Sequence, residues 1–164
     1  MLHIGRKNYY IGTTRFNKHT IKENKTWKKN NNFHGCIYGL GTTIQKNVPI
    51  YSNVFVIEMN NSKNEIEGIG LIKNHYYFDK KYNIYQDNNY NRFIFKGDFY
   101  KSRQELLRIN ETFVEAIENI LFYGFTHLKR GQGITLVSKR KIEENKNIML
   151  TMFEVLVFKS LCKN

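Results

Sequence analysis

The chain has 164 residues and carries 26 Lys and Arg against 14 Asp and Glu, a formal net charge of +12 at pH 7. Eleven Tyr and twelve Phe exclude a disordered polyelectrolyte, and two distant cysteines, Cys36 and Cys162, exclude a disulfide-stapled scaffold. No apolar run approaches the roughly 20 residues of a membrane span, so the reading is one domain, 1–164, with no membrane partner.

The positive charge is unevenly distributed. Residues 1–50 hold nine Lys and Arg against the single acid Glu23, residues 51–100 hold six against six, and residues 101–164 hold eleven against seven. Concentrated cations attract polyanions by Coulomb steering and counterion release, which points to nucleic acid, RNA or DNA, as partner. The opening Met1 to Lys7 has no apolar core of a secretory leader, so the expected setting is intracellular: cytoplasm, nucleus or a virion.

Along the chain, Tyr9 to Thr14 reads as a short strand. Lys18 to Lys29 is polar, with Ile21 and Trp27 as its strong anchors, and fits either a short helix or an ordered basic loop. The β-formers Val54 to Met59, the turn residues Asn60 to Asn64 and the segment Glu65 to Lys73 predict a hairpin. In its second strand Ile66, Gly68, Gly70 and Ile72 share one face by alternation, and the two glycines require a close neighbour there: a helix, a tight barrel bend or a ligand. Arg92 to Gly97 alternates as a further strand. Ser102 and Glu105 have the spacing of a capping box and open a helix with Leu106, Ile109, Phe113, Ile117 and Ile120 on one face, stopped by Gly124. A last helix is expected to begin at Glu143–Glu144, with a buried strand as the alternative for Val155 to Phe158. The sum is an α+β fold: a small curved sheet or β-barrel with one or two covering helices.

Two segments carry the candidate interface. His127, Lys129, Arg130, Gly131 and Gly133 form a basic loop whose glycines let backbone N–H groups approach an anion, without the spacing of a nucleotide-hydrolysing phosphate loop. Lys22, Lys25, Lys28 and Lys29 surround Trp27, and an amphipathic ring beside cations suits both phosphate and base. Tyr38 is a second stacking candidate, Tyr76, Tyr77, Tyr82, Tyr85 and Tyr90 offer further faces, and Lys139 and Arg140 add phosphate contacts. His34 and Cys36 lack a second ligand cluster and an orienting group, so neither a metal site nor a catalytic thiol is expected. Glu58, in an apolar strand, is expected to pair with a lysine of the N-terminal segment or to sit half-buried beside a pocket.

Gly35 to Gly39, Ile50 to Met59, Asn60–Asn61 and Gly68 to Ile72 together resemble the PUA-like superfamily, in particular its EVE, ASCH and YTH branches, over residues 27–73. The resemblance implies a small barrel that reads RNA or modified bases near its mouth. With Trp27 as the one Trp, the aromatic cage of YTH proteins does not carry over. The His127 to Thr135 stretch and the Lys and Asn richness are also similar to proteins of large DNA viruses. The resulting expectation is a non-enzymatic nucleic-acid-binding module without cofactors. The alternative is a viral structural or interaction component that docks acidic proteins or self-associates. A small hydrolase of modified nucleosides is the third reading.

Overall fold

A strand that buries both of its faces belongs in the middle of a sheet, and Val54 to Asn60 is buried throughout. The computed structural model, which describes residues 2–4 and 7–158, places that strand, β4 (Asn53–Asn60), at the centre of a mixed sheet. β4 pairs in parallel with β2 (Lys7–Phe16) and antiparallel with β5 (Glu65–Lys73). β1 (Leu2–Ile4) and the two-residue β8 (Thr135–Leu136) share the outer side of β2, and β7 (Phe99–Ser102) closes the other side on β5. A separate ribbon, β3 (Cys36–Leu40) with β6 (Phe93–Gly97), lies over one face.

The two faces of the sheet seed two cores. Ile11, Phe55, Ile57, Met59 and Ile69 pack beneath α2 (Arg103–Ile109), α3 (Glu111–Phe122), α4 (Lys139–Glu144) and α5 (Lys146–Phe153), which runs on into a wider π-type turn over Glu154–Phe158. Val54, Val56 and Ile72 point the other way and meet the ribbon through Ile37, Tyr38 and Phe95, together with Ile21 of α1 (Lys18–Asn30). Truncating a central side chain such as Ile57 to Ala would cost about 2–5 kcal/mol, because neither core can collapse around the gap.

The α+β class and the covering helices are as expected, and the sheet is open, with β1 and β7 at its ends and not joined into a barrel. Three details differ from the sequence reading, and one open alternative is decided. The single helix after Ser102 is two helices, because Asn110 is extended (φ −162°, ψ 94°) and caps α3 by accepting from the Phe113 N–H at 2.9 Å. Glu143–Glu144 ends α4, and α5 starts at Lys146. The Lys18 to Lys29 segment resolves as a helix. Finally, Ile66 does not share a face with Gly68 and Gly70. The register shifts between Glu58, opposite Gly68, and Met59, opposite Ile66, so the extra residue Glu67 turns Ile66 into the helix-covered core.

The close neighbour that Gly70 requires is the ribbon, and that of Gly68 is Tyr100 on the adjacent strand β7. A Cβ on Gly70 would lie 2.5 Å from both Cys36 Sγ and Tyr38 Oη, and one on Gly68 would strike Tyr100 Oη. Main sheet and ribbon therefore meet at van der Waals range only because this strand lacks side chains there.

Candidate nucleic-acid interface

α1 begins where β2 ends. Asn17 caps it, its Oδ1 accepting from the His19 and Thr20 N–H groups at 2.9 Å each, while Thr20 Oγ1 accepts from the Asn17 N–H at 3.1 Å. Helical spacing then lines up Lys18, Lys22, Lys25 and Lys29 on the solvent side, and Ile21 and Asn24 turn inward. Asn24 fixes the helix to the ribbon by donating to the Ile37 carbonyl at 2.8 Å and to Tyr85 Oη at 3.1 Å. Lys25 is paired with Glu67 at 2.6 Å. Lys18, Lys22 and Lys29 have no carboxylate within ion-pair distance among the described residues.

The 127–133 loop is held against the end of β2 by Arg15. Its guanidinium donates to the Leu128 carbonyl at 2.9 Å, to Thr135 Oγ1 at 3.1 Å, to the Gly133 carbonyl at 3.4 Å and to Thr13 Oγ1 at 3.0 Å. All of these acceptors are neutral, so the charge of Arg15 is solvated by the protein but not cancelled. Burial lowers its pKa, yet a guanidinium stays protonated. Gly131 (φ +131°) and Gly133 (φ +62°) adopt left-handed backbone, and a Cβ on Gly131 would press within 3.1 Å of Cζ of Arg15. Asn61 ties the loop to the β4–β5 turn by donating to the Lys129 carbonyl at 2.8 Å.

Between these parts lies a cleft of about 230 Å³. Arg15, Asn17 and Thr20 form one wall, Gly131 to Gly133 another, and Tyr85 and Tyr90 a third. Tyr90 is 45% exposed and meets Tyr85 in a T-shaped contact at 6.1 Å.

Compared with known proteins, the chain matches no family model, no curated protein and no solved structure.

The geometry sorts the sequence-predicted residues. Lys22 and Lys29 on α1 are exposed, as are Arg130 and Gly131 of the loop. His127, Lys129 and Gly133 are half-buried, and His127 Nδ1 accepts from the Lys129 N–H at 3.4 Å. Lys28 turns inward, its Nζ 3.9 Å above the Tyr100 ring. Lys139 and Arg140 do not join this face. They sit on α4, whose Ile142 belongs to the helix-covered core on the other side of the sheet, and they pair with Glu143 at 3.8 Å and Glu144 at 2.7 Å.

Of the first two rings named for stacking, Tyr38 is sealed in the core, while Trp27 is partly exposed and lines a groove of about 510 Å³ with His19 and Lys22. Tyr38 is 1% exposed, with its hydroxyl donating to Glu58 Oε1 at 3.0 Å. Trp27 is half-buried between Phe33 and Tyr82, and its indole N–H is spent on the Tyr82 carbonyl at 2.6 Å. Sequence reasoning missed Arg15, Asn17 and Thr20 as cleft residues. The signal was the polar run Thr13-Thr14-Arg15 at the end of a strand, directly before a helix-capping Asn.

Glu58 is fully buried rather than half-buried beside a pocket, and its partners are tyrosines rather than a lysine: Tyr38, and Tyr100 at 3.1 Å. Burial raises its pKa, against the opposing charge of Lys28 and the two hydroxyls. Cys36 lies beside it, its thiol pushed up to about 12 by burial and by Glu58. A sealed, protonated thiol is a packing group and not a nucleophile.

Proposed function

We propose that the protein is a non-enzymatic nucleic-acid-binding module that takes a phosphate backbone along Lys18, Lys22 and Lys29 of α1 and along Arg130 of the loop, with a base against Tyr90. The observation that carries this reading is the cleft itself. It brings the start of the basic helix, the glycine loop and the uncancelled Arg15 charge onto one surface beside the exposed Tyr90. Glycine loops let backbone donors approach phosphate, and the surrounding lysines supply steering. Among the described residues, Glu58 and Cys36 are sealed between sheet and ribbon, which favours binding over catalysis by those groups. The resemblance of residues 27–73 to PUA-like proteins favours RNA within this reading.

The test is a fluorescence-anisotropy titration with labelled RNA and DNA oligonucleotides over about 50–200 mM salt, where each phosphate contact adds roughly 0.7–0.9 to the slope of log K against log salt. Binding that weakens steeply with salt is expected. Indifference to both polymers at low salt would end the proposal.

A further inference from the structure

The ribbon side of the molecule carries a second feature, remote in sequence from α1 and from the loop. Tyr51, Tyr76 and Phe78 are 60%, 40% and 81% exposed, although the hydrophobic effect favours burying each ring. They form a connected strip. Tyr51 stacks on His75 at 5.0 Å and 24°, His75 lies 6.5 Å from Tyr76 at 18°, and Tyr76 reaches Phe78 at 6.1 Å. Tyr51, His75 and Tyr76 lie nearly parallel and Phe78 is tilted 56° from Tyr76, and such a connected run of exposed rings differs from the scattered apolar residues of an ordinary surface.

Backbone conformation supplies an independent observation. Tyr51 has φ +66°, a left-handed state that a bulky side chain rarely occupies. The turn is pinned in place: the Tyr51 N–H donates to the Asn74 carbonyl at 3.1 Å, the Asn74 N–H to the Ser52 carbonyl at 2.8 Å, and Asn74 Nδ2 to the Val48 carbonyl at 2.9 Å. Strain of this kind persists where surrounding structure enforces it, and here it presents a ring to water instead of burying it.

Charge identifies the occupant. Phe78 continues into a groove of about 620 Å³ that also holds Lys80, Lys81 and Arg92. Arg92 sits 5.7 Å from the Phe93 ring centroid, and Phe93 in turn packs on Tyr76 at 5.2 Å. Of the two acids between Tyr76 and Phe93, Asp79 accepts from Tyr82 Oη at 2.8 Å and Asp87 from the Asn89 N–H at 2.9 Å. We infer that Tyr51, Tyr76 and Phe78, with Lys80, Lys81 and Arg92, form a stacking surface for unpaired bases of single-stranded nucleic acid. The inference rests on the nucleic-acid reading above and adds to it a separate site and a preference for single strands. A duplex hides its base faces within its own stack, whereas an unpaired strand lays bases on rings and leaves phosphates for the flanking cations.

The experiment compares a labelled single-stranded oligonucleotide with its duplex, titrated against the full chain and against Tyr51→Ala, Phe78→Ala and Lys18→Ala/Lys22→Ala variants. Matching thermal melts establish that the variants fold, as expected for exposed positions. Each ring variant should weaken single-strand binding on the order of tenfold to a hundredfold and leave duplex binding unchanged. The α1 variant should weaken both. Ring variants that bind single strands as tightly as the parent, or that lose both forms equally, overturn the stacking surface while the α1 reading stands. Failure of the parent chain to bind either form overturns both. Self-association of the parent that disappears in the ring variants, with single-strand affinity intact, would make the strip a contact between copies and would also overturn the inference.

Discussion

Arg15 Nε donates to the Leu128 carbonyl at 2.9 Å across 113 residues of sequence, and that bond decides where the glycine loop lies. Arg15→Ala leaves the carbonyls of Leu128 and Gly133 and the hydroxyl of Thr135 without their donor. The expected cost is about 1–3 kcal/mol, seen as a lower urea midpoint. Faster amide exchange should be confined to 128–135, with weaker oligonucleotide binding. Arg15→Lys should rescue little, since one ammonium cannot span acceptors arranged for a fork. Full rescue by Lys would show that charge alone, and not this geometry, positions the loop.

Basic residues on the two layers should contribute unequally to binding. Lys18 and Lys22 lie on the exposed side of α1 without a carboxylate at ion-pair distance among the described residues, whereas Lys139 and Arg140 are matched by Glu143 and Glu144 one turn on. Replacing both Lys18 and Lys22 by Ala should lower the salt slope by roughly 1.4–1.8 if each contacts phosphate. Replacing Lys139 and Arg140 should leave it unchanged. Equal effects from the two pairs would mean that net charge, and not the α1 face, drives association.

The glycines of the sheet divide by what stands opposite them. An alanine at Gly70 would meet the Cβ and Sγ of Cys36 and the hydroxyl of Tyr38, all carried on a strand packed against it. An alanine at Gly12 would meet a single side-chain atom below 3.0 Å, the Cγ2 of Ile134 at 2.8 Å, with the Thr135 carbonyl and Val54 at 3.6 Å. Gly70→Ala should therefore destabilise by about 3 kcal/mol or more and Gly12→Ala by about 1 kcal/mol, compared by thermal or urea unfolding. Equal losses would show that sheet and ribbon are not held at fixed separation.

The parts of the fold that were legible in the sequence rest on local physics. The Val54 to Met59 run, its Asn-rich turn and the Ser102–Glu105 box each signal their structure within a few residues, and the structure has the hairpin and the capped helix. The requirement that Gly68 and Gly70 face something close was also legible, although the identity of that neighbour was not. Whether Lys18 to Lys29 forms a helix depends on Asn24 finding the Ile37 carbonyl, a tertiary bond. The inward turn of Ile66 depends on one extra residue, Glu67, which no alternation pattern reveals. Trp27 is half-buried and Tyr38 buried, because ring chemistry suits burial and binding alike. Their hydrogen-bond partners, the Tyr82 carbonyl and Glu58, lie 55 and 20 residues away.

Glu58 gives the fold a pH dependence whose sign follows from its surroundings. Burial holds the carboxyl above its ordinary value of 4.5, although Lys28 and the hydroxyls of Tyr38 and Tyr100 work against that, with Glu67 adding to it. Between the unfolded value and the higher folded one, the folded chain keeps a proton that the unfolded chain has released. The stability contributed by this group is thus fully present below about 4.5 and is lost as pH rises through the folded value. Glu58→Gln keeps the shape and abolishes the titration. Urea unfolding from about pH 4 to pH 8 should therefore show the Gln variant gaining on the parent as pH rises. The shifts at Glu105 and Glu118 are common to both chains. Tyr38→Phe removes one donor from the carboxylate, should cost about 1–3 kcal/mol at neutral pH, and should steepen the decline. A stability difference between parent and Gln variant that shrinks or stays level over this range would mean that the donated hydrogen bonds outweigh burial and keep Glu58 an ordinary carboxylate.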